Sequence, residues 1–149
     1  MKNIYSNILK VNNRVLSKII NSLKKKELVG VPTETVYGLA GNAYSSKSVK
    51  KIYHLKKRPY KNPLIIHYYN LKYLKNDVEF NKNFFKLYKK FSPGPITFIL
   101  KRKKKSQLSN IATAKLKTVA VRFPKNKVLR KILKSLNFPL AIPSANKST

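Results

Sequence analysis

An α/β fold, with helices layered on a sheet, is predicted by three observations. Amphipathic helical segments alternate loosely with short β-branched runs along the chain. Those runs end in Pro-, Thr- or Ser-containing loops, the form a chain takes where it leaves a sheet. The length of 149 residues, with an apolar share typical of globular chains, matches one domain with a real core. Residues 1–149 are therefore read as a single domain.

In chain order, residues 12–25 place Val15, Leu16, Ile19, Ile20 and Leu23 on one helical face, with Asn12 or Asn13 as the cap. Leu28 to Val31 reads as a short buried strand ending at Pro32. Residues 46–57 form a second amphipathic helix on Val49, Ile52 and Tyr53, stopped before Pro59 because the residue preceding proline is driven out of helical geometry. Pro63 to Tyr68 is a strand, and residues 82–91 are helical by spacing. Ser92-Pro93-Gly94-Pro95 suits a type II turn with Pro93 and Gly94 at its centre. Ile96 to Leu100 follows as a strand, and Lys101 to Lys105 reads as a basic hairpin or loop. Thr118 to Phe123 is a strand, 126–136 a helix and Pro139 to Ile142 a last strand.

Composition narrows the chemistry. Cysteine is absent, which removes disulfides, thiolate metal sites and cysteine nucleophiles and fits a reducing compartment. Met1 to Lys10 lacks the apolar core and cleavage site of a signal peptide, and no uncharged apolar run approaches the ~20 residues of a spanning helix. The expectation is a soluble cytoplasmic protein with no membrane association. The carboxylates are Glu27, Glu34, Asp77 and Glu79, with no pair placed for glycosidase chemistry. The net charge of +30 attracts anions of every kind, nucleic acid included, yet it is spread along the whole chain. Abundant Asn, Ile and Tyr beside that lysine point to A- and T-rich codon usage as a source of the charge. Against the lysine background, the five arginines stand out: Arg14, Arg58, Arg102, Arg122 and Arg130. A planar guanidinium grips carboxylate or phosphate in a way lysine does not.

Four segments carry candidate chemistry. Val31-Pro32-Thr33-Glu34-Thr35-Val36-Tyr37-Gly38-Leu39 presents hydroxyls and N–H groups at a strand end, where open α/β sheets bind ligands, although threonine is also simply a good strand residue. Lys56-Lys57-Arg58-Pro59, with Asn62 and Pro63 behind, sets two cations at a helix end to converge on an anion; a basic helix C-terminus is also favoured by the macrodipole alone. Thr118 to Pro124 carries Arg122 inside an apolar strand, costly to bury unless it meets an anion, and few internal carboxylates are available. Pro143-Ser144-Ala145-Asn146 follows the last strand and offers a donor and acceptor two residues apart. His67 ends its strand, where a half-buried structural histidine is the ordinary case.

Taken together and in this order, V-P-T-E-T-V-Y-G-L, K-K-R-P-x-x-N-P-L-x-x-H, S-P-G-P-I-T, V-A-V-R-F-P and P-S-A-N-x-S resemble the YrdC-like family of threonylcarbamoyl-AMP synthases, from residue 31 to residue 148. The resemblance implies a twisted mixed sheet with flanking helices and a large basic cleft. It also implies synthesis of threonylcarbamoyl-AMP from L-threonine, bicarbonate and ATP, with Mg²⁺ accompanying the ATP and pyrophosphate released. A partner transferase then carries the threonylcarbamoyl group to the adenosine at tRNA position 37. Residue by residue, it assigns Thr35, His67, Arg122 and Ser144 to threonine and Arg58, Asn62, Thr118 and Asn146 to the nucleotide. Lys56 supports the phosphates, with Lys56 and Arg58 as the catalytic pair. The family domain usually continues for some tens of residues beyond the S-A-N-x-S motif, adding sheet and nucleotide contacts, and often has glycine where Thr149 stands. The competing reading is a non-catalytic module of the same fold that binds tRNA or other double-stranded RNA through its charge, with Lys101 to Lys105 as a candidate patch.

Overall fold

The computed structural model describes residues 9–146; residues 1–8 and, at the end of the last motif, Lys147, Ser148 and Thr149 lie outside the described part. Twelve elements follow one another: α1 (Asn13–Lys24), β1 (Val29–Val31), β2 (Gly38–Asn42), α2 (Ser46–Lys56), β3 (Ile65–His67), α3 (Leu71–Asp77), β4 (Val78–Glu79), α4 (Lys82–Phe91), β5 (Thr97–Arg102), β6 (Thr118–Arg122), α5 (Lys127–Lys134) and β7 (Leu140–Ala141). The seven strands form one sheet in the order β1-β2-β7-β3-β6-β5-β4. β3 and β6 run parallel and the other pairs antiparallel, so the sheet is mixed, as the family resemblance implies.

Side-chain oxygens start every helix. Asn12, Ser45, Asn70, Asn81 and Asn126 each accept a hydrogen bond from a backbone N–H of the first turn. Such caps satisfy donors that the helix itself leaves orphaned. Pairing registers then fix which side chains share a face. On one face, Val49, Ile52 and Tyr53 of α2, Leu74 of α3 and Phe84 of α4 cover Ile66, Phe98, Leu100, Val119 and Val121. On the other, Ile20 and Leu23 of α1 and Leu129, Ile132 and Leu133 of α5 cover Val31, Ala40, Leu140 and Ile142. This second face is covered only in part. Towards β6 and β5 it carries Thr97, Ile99 and Lys101 opposite Arg122, Ala120 and Thr118, and Ile99 is 66% exposed.

Several elements depart from the sequence reading. β2 was unforeseen: its Gly-Leu-Ala-Gly-Asn stretch is poor in strand-favouring side chains. Its glycines answer to packing instead, since a Cβ on Gly41 would stand 2.8 Å from Leu28 and 3.1 Å from Ile52 of α2. α3 and β4 were likewise unforeseen. Around them, the buried Asp77 carboxylate accepts hydrogen bonds from Tyr44, Tyr68, Ser106 and the Gln107 N–H, which fastens the loop after β5. β5 runs on through Lys101 and Arg102, so the expected basic loop begins only at Lys103. Lys101 is held there by pairing with Thr118 and by an ion pair with Glu79 at 3.0 Å. The type II turn at 92–95 is not formed, because no glycine among the described residues has the positive φ it demands. Instead the Ser92–Pro93 bond is cis, and Gly94 is required by space, a Cβ there lying 2.5 Å from the Phe91 carbonyl.

Candidate active site

Where the covered half of the second face gives way to the open half, a cavity of about 240 Å³ is lined by Thr33, Thr35, Gly38, Arg58, His67, Arg122 and Ser144, with Pro63, Ile65 and Ile142 among its walls. Five of the nine residues singled out from sequence thus meet at one place: Thr35, Arg58, His67, Arg122 and Ser144.

Each arrives by an identifiable local route. α2 ends at Lys56, and Lys57 takes the left-handed conformation at φ 50° with its N–H returned to the last helical turn. The Arg58 N–H then closes on the Tyr53 carbonyl at 3.0 Å. This cap reverses the chain between Lys56 and Arg58. The Arg58 guanidinium is aimed by two carbonyls, with Nε donating to Asn62 O at 3.1 Å and Nη2 to Pro63 O at 3.0 Å. Lys56 is 5% exposed, and its Nζ donates to the Asn146 backbone oxygen. The K-x-R and S-x-N segments, 90 residues apart in sequence at Lys56 and Asn146, are therefore in direct contact. Burial, and secondarily the neighbouring Arg58, push the Lys56 ammonium below the ordinary lysine range.

Pairing of β3 with β6 sets His67 beside Arg122. The imidazole is 3% exposed, and burial followed by the Arg122 charge lowers its pKa to about 4. His67 is accordingly neutral near pH 7. Its Nδ1 lies 3.2 Å from the Ile65 carbonyl. In a neutral ring that carbonyl selects the Nδ1–H tautomer and leaves Nε2 as an acceptor. Arg122 is half-buried on the open face rather than sealed in apolar strand packing. Its Nε and Nη2 both donate to Thr97 Oγ1, at 3.0 and 2.8 Å. A neutral hydroxyl orients the guanidinium without neutralising it, and the one ion pair among the described residues is the distant Lys101–Glu79.

The two loops of the cavity mouth are zipped together. Gly38 bridges Ser144, Leu39 N–H donates to Pro143 O at 2.9 Å and Ala145 N–H donates to Tyr37 O at 2.7 Å. A Cβ on Gly38 would lie 2.3 Å from Ile142 Cγ2, so only glycine allows this approach. Within the first loop Thr33 Oγ1 donates to Val36 O and accepts from the Thr35 N–H at 3.3 Å.

The remaining four candidates lie around the cavity rather than in its lining. Lys56 and Asn146 adjoin it through their mutual contact. Asn62 contributes its carbonyl to Arg58 and Tyr53, while its side chain is in an exposed position. Thr118 is exposed four residues from Arg122 on the same strand and the same face, ~13 Å away at the usual rise per residue. The sequence reading passed over Gly38, Thr33 and Thr97. The spacing V-Y-G hinted at the first, but the Thr97–Arg122 contact follows only from strand register.

The Sua5/YciO/YrdC family profile, described as telomere recombination, matches residues 21–149. The chain is 40% identical over 144 residues to the threonylcarbamoyl-AMP synthase of Bacillus subtilis strain 168, covering 94% of this chain and 40% of that one. It is 40% identical over 129 residues to the Pyrococcus abyssi enzyme of the same name, covering 85% and 37%. The crystal structure of P. abyssi Sua5 complexed with L-threonine superimposes with a TM-score of 0.87 at 35% identity, covering 94% of this chain and 41% of that one. The chain thus spans about two fifths of the length of these relatives.

Proposed function

The chain belongs to the Sua5/YciO/YrdC-like family of threonylcarbamoyl-AMP synthases, and from that premise we propose that it makes threonylcarbamoyl-AMP from L-threonine, bicarbonate and ATP. The observation that carries this reading is the pairing, in one small cavity, of a guanidinium held by a neutral hydroxyl with a neutral imidazole and loop hydroxyls. A zwitterionic hydroxy amino acid complements that set. Arg122, held by Thr97, takes the carboxylate through its remaining N–H groups. His67 Nε2 accepts the hydrogen bond of the substrate hydroxyl, and a site built to pair a hydroxyl rejects analogues that lack one. Thr35 and Ser144 supply polar contacts at the mouth. That P. abyssi Sua5 has been crystallised with L-threonine supports the same choice.

In the proposed reaction the threonine amine attacks bicarbonate, forming the N–C bond of a carbamate and releasing water. A carbamate oxygen then attacks the α-phosphorus, and the bond to pyrophosphate breaks. Both partners are anions, so the work of the protein is juxtaposition and charge stabilisation. Lys56 and Arg58 face the phosphates in this reading, and Asn62, Asn146 and Thr118 contact the nucleotide. A ligand reaching Thr118 lies along the open face of β6, whose length suits a nucleoside triphosphate beside an amino acid. Mg²⁺ is proposed to come with the triphosphate, since the cavity lining offers cations and hydroxyls and no group of three or more metal-ligating side chains occurs among the described residues. The product would pass to a transferase that modifies tRNA. No helix among the described residues is long and apolar enough to cross a membrane.

The test is threonine-dependent release of pyrophosphate from ATP and bicarbonate by the purified chain. Activity that Arg58→Ala reduces at least tenfold supports the reading. No turnover, together with tRNA binding indifferent to Arg58→Ala, would favour the RNA-binding module instead.

A further inference from the structure

Glu34 sits between two cavity-lining residues, Thr33 and Thr35, and its own side chain reaches the segment that leaves β6. Its Oε1 accepts hydrogen bonds from two successive backbone N–H groups, Lys125 and, at 3.4 Å, Asn126. The Asn126 side-chain amide answers by donating to the Thr33 carbonyl at 3.5 Å. Asn126 is also the cap of α5, its Oδ1 accepting from Val128 and Leu129 N–H at 3.0 and 3.1 Å. The carboxylate therefore lies at the positive end of α5, where negative charge is favoured. Lys125 stands three residues beyond Arg122, on the segment that leaves β6.

From this geometry we propose that Glu34 is a positioning residue for the amino-acid substrate, a strut that sets the distance between the Thr35 loop and the Arg122 strand end. The inference rests on the function proposed above. The loop is held at its base by the Val31–Gly38 pair and by the contacts of residues 37–39 with 143–145; the contact at 125–126 gives its tip a further fixed point, on the segment that leaves β6. Thr35 and Arg122 then hold one geometry before the substrate arrives, and ordering them no longer costs binding free energy. The nucleotide candidate Arg58 is anchored independently of that loop, through Asn62 and Pro63. The strut thus acts on the amino acid and leaves the nucleotide untouched.

Calorimetric titration of L-threonine, with steady-state kinetics alongside, tests this in the wild-type chain, Glu34→Ala and Glu34→Gln. Glu34→Ala is expected to weaken threonine binding about tenfold and raise its KM equally, with kcat and the KM for ATP within twofold of wild type and an unchanged Tm. Glu34→Gln keeps an acceptor oxygen and is expected to restore affinity to within threefold. Unchanged threonine affinity in Glu34→Ala overturns the strut alone. So does a Glu34→Gln loss as large as that of Glu34→Ala, or an equal rise in both KM values with a lowered Tm. A wild-type chain that binds no threonine sinks the proposed function, and the strut with it.

Discussion

Over β1, β2 and β7 the second face of the sheet is covered by α1 and α5, whereas over β6 and β5 the same face leaves Ile99 66% exposed and Thr118 and Lys101 open. The strands are neighbours in one sheet and obey the same alternation, so the difference comes from what is laid on top. The covered half invests its side chains in stability. The open half leaves hydroxyls and an arginine accessible, and the cavity forms at the boundary between them. His67 shows the boundary most clearly: it is buried with the covered half, yet its ring stands beside the Arg122 of the open half.

Substitutions can break or sharpen this contrast. The largest effect is expected for Ile132→Ala in the covered half, which removes a fully buried side chain and costs about 2–5 kcal/mol by chemical denaturation. Ile99→Ala on the open half, an apolar truncation of the same kind, is expected to stay within ~0.5 kcal/mol. Similar losses at the two positions would contradict the contrast.

Next in size is a pH effect. Because the folded protein holds His67 near pKa 4 against 6.5 unfolded, the unfolded chain binds the extra proton first as pH falls. The neutral ring's share of stability is intact above about pH 6.5 and is progressively lost between there and about pH 4, amounting to ~3 kcal/mol. His67→Gln is expected to flatten that part of the stability profile. An unaltered acid limb in the variant would place the titration elsewhere.

The smallest effect concerns the far end of the open face. Thr118→Val is expected to raise the KM for ATP about three- to tenfold, the range for one neutral hydrogen bond, with threonine affinity unchanged. A change in threonine affinity instead would mean that the two ligands do not share the strand as proposed.

Much of the cavity was legible in the sequence because its residues sit at strand ends and helix ends, which hydrophobic periodicity and proline mark well. Arg58 and Arg122 stood out against lysine, and both line the cavity. The fold was legible where apolar spacing is strong, as in α1, α4 and α5. It was not legible in β2, whose glycines are chosen for the close approach of α2 and of Ile142 rather than for strand propensity. Nor was α3 visible, a short segment with lysines interleaved among its apolar positions. Glu34 could not be read at all, since its partners are backbone N–H groups that any sequence at 125 and 126 would supply. The expected burial of Arg122 was misjudged for a related reason. Which face of a strand is covered depends on helices placed by the whole topology, and the β6 pattern alone does not contain that information.

In the proposed function the open face at Arg122 holds the carboxylate of threonine. Titration calorimetry of L-threonine into the wild-type chain and Arg122→Lys tests it most directly. The account predicts saturable binding by the wild type, weakened at least tenfold in Arg122→Lys because a lysine ammonium cannot reproduce the planar donor fork, with ATP affinity preserved. Equal threonine affinity in the two proteins would contradict it.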